Sequence, residues 1–180
     1  LSVTVADMAQ IHGDCVSIPA AIVTKALLQA GTLNKEAKCA VSLLRAWDQR
    51  MDRDHCEPLI YAKTWSKLVS RAIENWLGAS IAQWLPTAPG GDVHIRLIGL
   101  EILRALERGD RTSWASGQAW STMLVSALSD CVSELTQSFG EDMSSWRWSD
   151  VHRAKFRHPL SDWFPEHAEW LDPPSQRENE

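Results

Sequence analysis

The sequence lacks any apolar run of the length needed to cross a membrane, and its N-terminus lacks the charged-then-apolar pattern of a secretory signal. A membrane-spanning helix needs roughly 20 apolar residues in succession, and no stretch of the chain approaches that length. We therefore expect no membrane partner. The chain begins at Leu1 rather than at Met, so we also expect a processed piece or an excised fragment of a longer protein.

A concentrated patch of positive charge is missing as well. The formal net charge is −5, and the 18 lysines and arginines are spread over several segments. Binding to the phosphates of nucleic acid needs a clustered basic surface. The charge pattern therefore predicts that nucleic acid is not a partner.

The cysteines form neither a Cys-x-x-Cys pair nor the spacing of a zinc site; they are Cys15, Cys39, Cys56 and Cys131. Each lies among apolar or helix-forming residues, and an unpaired cysteine behaves as a small apolar side chain that is usually buried. We interpret them as buried thiols. The sequence leaves open whether any two of them pair, and with it the redox compartment.

Signatures of nucleophilic catalysis are also missing. The chain has no Gly-x-Ser-x-Gly elbow or other nucleophile motif, and Leu1 has no hydroxyl or thiol with which to act as an N-terminal nucleophile. From residue chemistry alone we predict no catalytic residue and no cofactor-binding residue in this chain.

One acidic segment, "WDQRMDRDHCE", invites comparison with a calcium site through Asp48, Asp52, Asp54 and Glu57. It lacks the glycine and the evenly spaced oxygen ligands of a calcium-binding loop. Arg50 and Arg53 are interleaved with the carboxylates as counter-charges. The pattern favours a solvated, ion-paired helix end over a metal site.

What the chain does have is an unusual stretch, "WRWSDVHRAKFRHPLSDWFPEHAEW", at 146–170, which holds four of the ten tryptophans. Its histidines, His152, His158 and His167, are six and nine residues apart and are separated by prolines, whereas ligands on one helix face are typically four apart. We interpret them as surface or structural histidines. A small metal-dependent hydrolase that uses these histidines is the weaker alternative. Pro159 should hold His158 in an extended conformation.

The remaining sequence reads as successive helices with no alternating strand pattern, so we predict a mainly α fold. At 44% hydrophobic residues, 180 residues can bury a real core. A capping box at Thr4 to Asp7 should open a first helix that reaches His12, and Pro19 should lie in the first turn of a second that stops at Gly31. The other predicted helices cover 34–47, 59–85, 93–108 (capped by Asp92 and ended by Gly109) and 116–139.

Two of these helices carry further predictions. Apolar residues recur at spacings of three and four over 59–85, which predicts one helix of roughly 40 Å. Apolar residues surround most of the 93–108 helix, which predicts a central position. We expect a helical domain at 1–145, an aromatic and histidine-rich segment packing on it at 146–172, and a mobile tail at 173–180.

Three phrases resemble one family. "DCVSIPA" (14–20) is similar to an Asp-x-x-Ser-x-x-Ala phrase of the penicillin amidase family, which includes penicillin acylases and acyl-homoserine-lactone acylases. "LLRAWDQRMDRD" (43–54) resembles the family's Leu-x-x-Trp-Asp-Gly-x-Met-x-x-Asp, and "WRWSDVHRAKFRHPL" (146–160) resembles its Trp-x-Trp-Gly-x-x-His-x-x-x-Phe-x-His-Pro-Leu. Gln49 and Ser149 stand where the family usually has glycine, which puts the local turn geometry in question.

The resemblance implies an N-terminal nucleophile hydrolase, in which a serine at the start of the β chain attacks an amide and its own α-amino group serves as the base. In that family the catalytic residues and the calcium ligands lie upstream of the stretch matched here, so no catalytic or metal residue transfers to this chain. The chain would be the helical insert of the β chain, without the catalytic sheet. Its partners would be the rest of the α and β chains, and a periplasmic location is implied.

The parent would hydrolyse the amide of an acylated small amine, such as a β-lactam or an acyl-homoserine lactone. The alternative from another class is a free-standing helical module that binds a protein partner through its tryptophan faces. If the chain is excised, it should expose apolar residues where it met the catalytic sheet, chiefly from 146–170. Such surfaces favour dimerisation of the fragment.

Overall fold

The structure is a computed structural model, and it describes residues 3–31, 35–114, 116–153 and 158–171. The described part is mainly helical and contains no β-strand beyond two isolated bridges, so the predicted fold class is confirmed. The helices are α1 (Val5–His12), α2 (Ile18–Leu28), α3 (Lys35–Ala46), α4 (Glu57–Leu77), α5 (Ala79–Trp84), α6 (Gly91–Arg108), α7 (Trp120–Phe139) and α8 (Ala168–Leu171). Short 3₁₀ turns lie at Leu85–Thr87, Met143–Ser145, Trp148–Asp150, Pro159–Asp162 and Pro165–His167.

The chain divides into two compact units, residues 1–148 and residues 149–180. The first unit contains α1 to α7 and the hydrophobic core. The second contains α8 and the 3₁₀ turns at Pro159–Asp162 and Pro165–His167. The division into 1–145, 146–172 and 173–180 stays a prediction, and the tail from residue 172 onward lies outside the described residues.

The capping box that the sequence predicts for α1 is present. The Asp7 backbone N–H donates to Thr4 Oγ1 at 3.2 Å, and the Thr4 backbone N–H donates to Asp7 Oδ2 at 2.8 Å. These two bonds satisfy amides that the first turn of a helix otherwise leaves unpaired. The Thr4 hydroxyl also donates to Asp7 Oδ2 at 2.7 Å, and this bond, with the bond from the Thr4 backbone N–H, lowers the pKa of the Asp7 carboxyl. No residue of α1 is buried.

The start of α2 also follows the prediction, but its end does not. Pro19 lies in the first turn, and the N-cap Ser17 accepts a hydrogen bond from the Ala20 N–H at 3.3 Å. The helix ends at Leu28, before the Gly31 at which the sequence places its stop. Helix ends fray by a residue or two, and here the last turn closes early.

The single helix predicted over 59–85 is wrong. Gly78 has φ 85° and ψ 157°, a region of backbone space that is essentially restricted to glycine. Its N–H still closes the last turn of α4 on the Glu74 carbonyl at 2.8 Å, and its carbonyl accepts from the Ala82 N–H of α5 at 3.0 Å. The chain therefore changes direction between α4 and α5, although the apolar spacing continues across the break.

Two predictions for α6 also need correction. The N-cap is Gly90, and Asp92 lies in the first turn, where it pairs with Arg96. The predicted end at Gly109 is confirmed. The helix buries one side, but the opposite side is exposed at Val93, Leu97 and Leu100. It therefore lies at the surface rather than at the centre of the unit.

The α7 helix begins at Trp120, four residues later than predicted. The preceding residues instead form a tight loop, in which Thr112 and Ala119 make an isolated antiparallel bridge. The Ser113 N–H donates to the Gln118 carbonyl at 2.6 Å. These contacts use backbone groups that would otherwise form the first turn of a helix beginning at residue 116.

The core is built mainly by α4 and α7, which make the most extensive helix pair of the fold, with α2, α3 and α6 packed around them. Apolar residues at spacings of three and four supply the facing sides. The most deeply buried large side chains are Val23, Leu27, Leu44, Leu59, Ile60, Leu68, Ile102, Leu124, Leu128, Val132, Leu135 and Trp146.

Charged side chains tie the same two helices together at the surface. Glu134 of α7 accepts from Lys63 Nζ at 2.8 Å and from Lys67 Nζ at 2.5 Å, both on α4. Arg71 and Asp130 form a further pair across the two helices. In the described part of the chain, no helix is both long and apolar enough to span a bilayer.

Candidate functional site

The segments that carry the first two sequence phrases pair with each other. The Ser17 N–H donates to the Gln49 carbonyl at 2.9 Å, and the Met51 N–H donates to the Cys15 carbonyl at 3.0 Å. Between these bonds lies the antiparallel bridge of Val16 with Arg50. Residues more than thirty positions apart in the sequence therefore share one short backbone ladder.

The turn between α3 and α4 is shaped to offer that ladder. Gln49 is the non-glycine residue with positive φ in the described chain, at 65°. Asp48 Oδ1 accepts from the Arg50 N–H at 3.0 Å, and Trp47 Nε1 donates to the Arg50 carbonyl at 2.9 Å. The Gln49 side-chain amide also donates to the Trp47 carbonyl. Because Gln49 adopts a left-handed conformation, the chain turns so that the Gln49 carbonyl and the Met51 N–H face residues 15 to 17.

Aromatic packing supports this turn from beneath. The rings of Trp47 and Tyr61 lie 5.8 Å apart and tilted at 41°, and both side chains are buried. Burial raises the pKa of the Tyr61 hydroxyl, which a hydrogen bond with the Ser17 side chain partly opposes. The phenol is therefore held neutral and serves as a packing group.

Carboxylates of the acidic segment pair with neighbouring side chains, as the sequence predicts. Asp52 accepts from Cys15 Sγ at 3.3 Å and lies 3.5 Å from Arg50 Nε, while Arg53 and Asp54 approach to 3.6 Å. Among the described residues, no three acidic, histidine or cysteine side chains are grouped as metal ligands. That this segment holds no calcium stays a prediction.

The third phrase joins the same place through its first residues. The Trp148 N–H donates to the carbonyl of His55, within the acidic segment, at 3.0 Å. Trp146 is fully buried, and its indole N–H donates to the Gly140 carbonyl at 3.1 Å. We call residues 14–17, 47–55 and 146–148 the motif junction.

The cysteines are free, and the expectation that all are buried is wrong for two of them. Cys56 and Cys131 are buried, Cys15 is half-buried and Cys39 is exposed. Burial raises the pKa of the Cys56 thiol to about 11, with a further contribution from the Glu57 carboxylate. Burial likewise raises the pKa of Cys131 to about 11. Thiols with such pKa values are poor nucleophiles at neutral pH.

The histidines of the 146–170 stretch are exposed, which confirms that they are surface histidines. His152, His158 and His167 are all exposed. His158 has φ −70° and ψ 137°, the extended conformation predicted before Pro159, and its Nδ1 accepts from the Leu160 N–H at 3.1 Å. The preceding residues of "KFRHPL", 155–157, lie outside the described residues.

A cleft of about 590 Å³ opens beside the motif junction, lined by Asp7, Gln10, Ile11, Gly13, Asp14 and Arg50. The Asp7 carboxylate is engaged by Thr4, and the Asp14 carboxylate accepts from the Val16 N–H at 3.0 Å. Among the described residues, no serine, threonine or cysteine lines this cleft, so those residues offer it no nucleophile for acyl transfer. That the chain holds no catalytic residue stays a prediction.

A second concave feature was missed by the sequence interpretation. Trp76, Leu77, Leu85, His94, Leu97, Ile98, Glu101 and Trp114 line a groove of about 550 Å³, which we call the apolar groove. Its signal was present as the apolar periodicity of α4 and α6, but that periodicity was assigned to the core. Periodicity locates an apolar face without saying what covers it.

The sequence of the chain is similar to that of known proteins over most of its length. The family model described as penicillin amidase matches residues 1–176, so the chain belongs to the penicillin amidase family. It is 30% identical over 176 residues to the penicillin acylase 2 proenzyme of Pseudomonas sp. (strain SE83). That match covers 94% of this chain and 21% of the relative, so the chain spans about one fifth of the relative's length.

Proposed function

We propose that this chain is the helical part of the β chain of an acylase, and that its parent hydrolyses the amide of an acylated small amine. The substrate class is a β-lactam with an acyl side chain or an acyl-homoserine lactone. The nucleophile is a serine at the N-terminus of the parent's β chain, outside these 180 residues. The observation that carries the proposal is the match to the penicillin amidase family over residues 1–176.

The geometry supports a scaffolding role for this segment. The three family phrases supply backbone hydrogen bonds, a buried indole and one ring of an aromatic pair. In the second phrase, Asp52 is engaged by Cys15 and Arg50. Groups arranged for acyl transfer would instead combine a nucleophile, a base and unpaired donors for an oxyanion. The segment therefore holds the parent's fold together, and the chemistry takes place elsewhere in the parent.

Further properties belong to the same proposal. The parent's remaining α and β chains are the partners of this segment, and calcium, where the parent binds it, is held outside the residues described here. The location is periplasmic. Fragment status is tested by the intact mass of the protein isolated from its source. A mass several times that of this chain before maturation supports the proposal, and a native product of 20.2 kDa contradicts it in favour of a free-standing module.

Activity of the isolated chain gives a second test. The pure 180-residue chain should not hydrolyse chromogenic phenylacetyl or long-chain acyl amides, because it lacks an N-terminal hydroxyl or thiol nucleophile. Clear turnover by the pure chain would contradict the proposal that the catalytic residues lie in the rest of the parent.

A further inference from the structure

The apolar groove is a preformed feature with a rigid aromatic wall. The Trp76 and Trp114 rings meet edge to face at 5.3 Å and 87°, and Trp114 in turn lies 6.4 Å from the buried Trp120. Trp76 is nevertheless 53% exposed and Trp114 42% exposed. Edge-to-face contacts hold such rings in a defined geometry, so the groove exists without a ligand to shape it.

The floor of the groove continues along α6 as an exposed stripe. Val93, Leu97 and Leu100 are spaced at four and three residues, which places them on one helix face, and each is at least 42% exposed. Six of the eight lining residues are apolar, and the other two are His94 and Glu101. A contiguous apolar surface of this kind marks a site of contact rather than a solvated face.

The size of the surface restricts what can cover it. A stable complex between separate proteins uses about 20 to 30 residues on each side, whereas the groove and the α6 stripe together offer about half of the lower figure. A contact this small is occupied when its partner is held at high effective concentration by a covalent connection or by other contacts. A free-standing protein partner does not meet that condition.

The shape of the surface argues against a second copy of this chain. A two-fold dimer places the same patch of both copies against each other. Two concave grooves apposed in this way enclose a void rather than a packed interface, and a void forfeits the dispersion contacts of its lining. The groove instead fits a projecting apolar segment.

We propose that the apolar groove is the docking site for an apolar segment of the parent acylase that lies outside these 180 residues. The inference rests on the proposed function. The relative in the same family has about four fifths of its length outside the matched region, since the match covers 21% of it. Polypeptide of that extent, connected to this unit, supplies the tethered apolar segment that the groove requires.

The test uses the full-length parent. The substitution Leu97→Asp places a carboxylate on the floor of the groove. The control, Glu107→Asp, lies at an exposed position of the same helix and measures the effect that an aspartate in α6 has on stability away from the groove. Leu97→Asp should lower the Tm of the parent by about 1 to 2 °C, because a docked segment would bury the charge and the Tm shift per kcal/mol is small in a chain of that length. Glu107→Asp should leave the Tm nearly unchanged. Equal Tm values for the two variants would overturn the proposal.

Hydroxyl-radical footprinting gives a second readout on the unsubstituted parent. Trp76 and Trp114 should react at least about fivefold more slowly than in the urea-unfolded parent, because an interface core excludes water. Reaction at about half the unfolded rate, as their exposed fractions in this segment imply, would contradict docking. Protection that disappears when a dimeric parent is diluted to monomer would also overturn it, since the cover would then be a second copy.

The outcome can be separated from that of the proposed function. Acylase activity is measured on the same preparation with phenylacetyl and long-chain acyl amides. A parent with protected groove tryptophans and no amidase activity would refute the acylase proposal alone. An active acylase with an unprotected groove would refute the docking site alone.

Discussion

The backbone N–H of Ser17 donates to the carbonyl of Gln49 at 2.9 Å, and this bond joins two sequence phrases through residues more than thirty positions apart. It depends on the turn before α4, because Gln49 adopts a φ of 65° that presents its carbonyl to Ser17. A side chain with a Cβ is strained in that region. The family usually has glycine at this position, which now has a physical reason.

Replacing Gln49 by glycine should leave the protein at least as stable as the natural sequence. Relief of the left-handed strain is worth about 1 kcal/mol, reduced by the greater freedom of glycine in the unfolded chain and by loss of the side-chain bond to the Trp47 carbonyl. Urea unfolding should show a midpoint equal to or above that of the natural sequence. The control, Gln49→Ala, keeps the Cβ and loses the same bond, so it should be the least stable of the three. A glycine variant less stable than the alanine variant would contradict a strained turn.

Two glycines should differ in their tolerance of alanine for different physical reasons. A Cβ at Gly91 would lie 1.8 Å from the Leu85 carbonyl oxygen, whereas a Cβ at Gly78 would meet nothing within 4 Å. Gly91→Ala should therefore cost about 3 kcal/mol through steric clash. Gly78→Ala should cost about 1 to 2 kcal/mol through its positive φ alone.

Thermal unfolding of the two alanine variants measures this order. The larger loss of Tm belongs to Gly91→Ala. The opposite order would mean that the close approach of Gly91 to Leu85 does not persist in solution.

The contact of Glu134 with two lysines should make part of the stability depend on pH. Hydrogen bonds from Lys63 and Lys67 lower the pKa of the Glu134 carboxyl from 4.5 to about 2. The folded state therefore holds the charged form more tightly than the unfolded state does. The stabilisation is fully present above pH 4.5 and is lost as the pH falls through about 2.

Glu134→Gln tests this dependence. The side chain is 43% exposed, so solvent screening limits the contribution to about 1 kcal/mol at pH 7. The difference in unfolding free energy between Glu134→Gln and the natural sequence should shrink towards zero at pH 2. Glu107→Gln, at an exposed position of α6, serves as control and should show a smaller difference at pH 7. A Glu134→Gln penalty that is the same at both pH values would show that the lysine contacts do not account for it.

Two tryptophans of the 146–170 stretch, Trp146 and Trp163, should respond differently to truncation. Trp146 is fully buried and donates its indole N–H to the Gly140 carbonyl, whereas Trp163 is 80% exposed. Trp146→Ala should destabilise the protein by about 4 kcal/mol through a large cavity. Trp163→Ala should change stability by less than about 0.5 kcal/mol. Denaturant unfolding followed by circular dichroism compares them, and similar losses for both would contradict the burial of Trp146.

Local sequence rules predicted those parts of the fold that depend on neighbouring residues. The Thr4 and Asp7 capping box, Pro19 in a first turn and the end of α6 at Gly109 are all present. The break at Gly78 was not predictable in this way, because the apolar spacing of α4 runs on into α5. A glycine within a periodic pattern can remain helical or turn the chain, and the periodicity is the same in both cases.

The sequence predicted only some of the features that depend on residues far apart in the chain. Family resemblance marked the residues of the motif junction, but sequence spacing gave no sign that 14–17 and 47–55 pair directly. The exposed face of α6 was assigned to the core because an apolar stripe has the same pattern whether it packs within the chain or against other polypeptide. The apolar groove is the clearest case, since its Leu97 and Trp76 look like core positions in the sequence and are more than half exposed.

We propose that this chain is a scaffold within an acylase whose nucleophile lies outside it. The most direct measurement is hydrolysis of chromogenic phenylacetyl and long-chain acyl amides by the full-length parent and by the same parent with its β-chain N-terminal serine replaced by alanine. We expect turnover by the parent and none by the alanine variant, with the fold of both unchanged by circular dichroism. Undiminished turnover by the alanine variant, or none by the correctly matured parent, would contradict it.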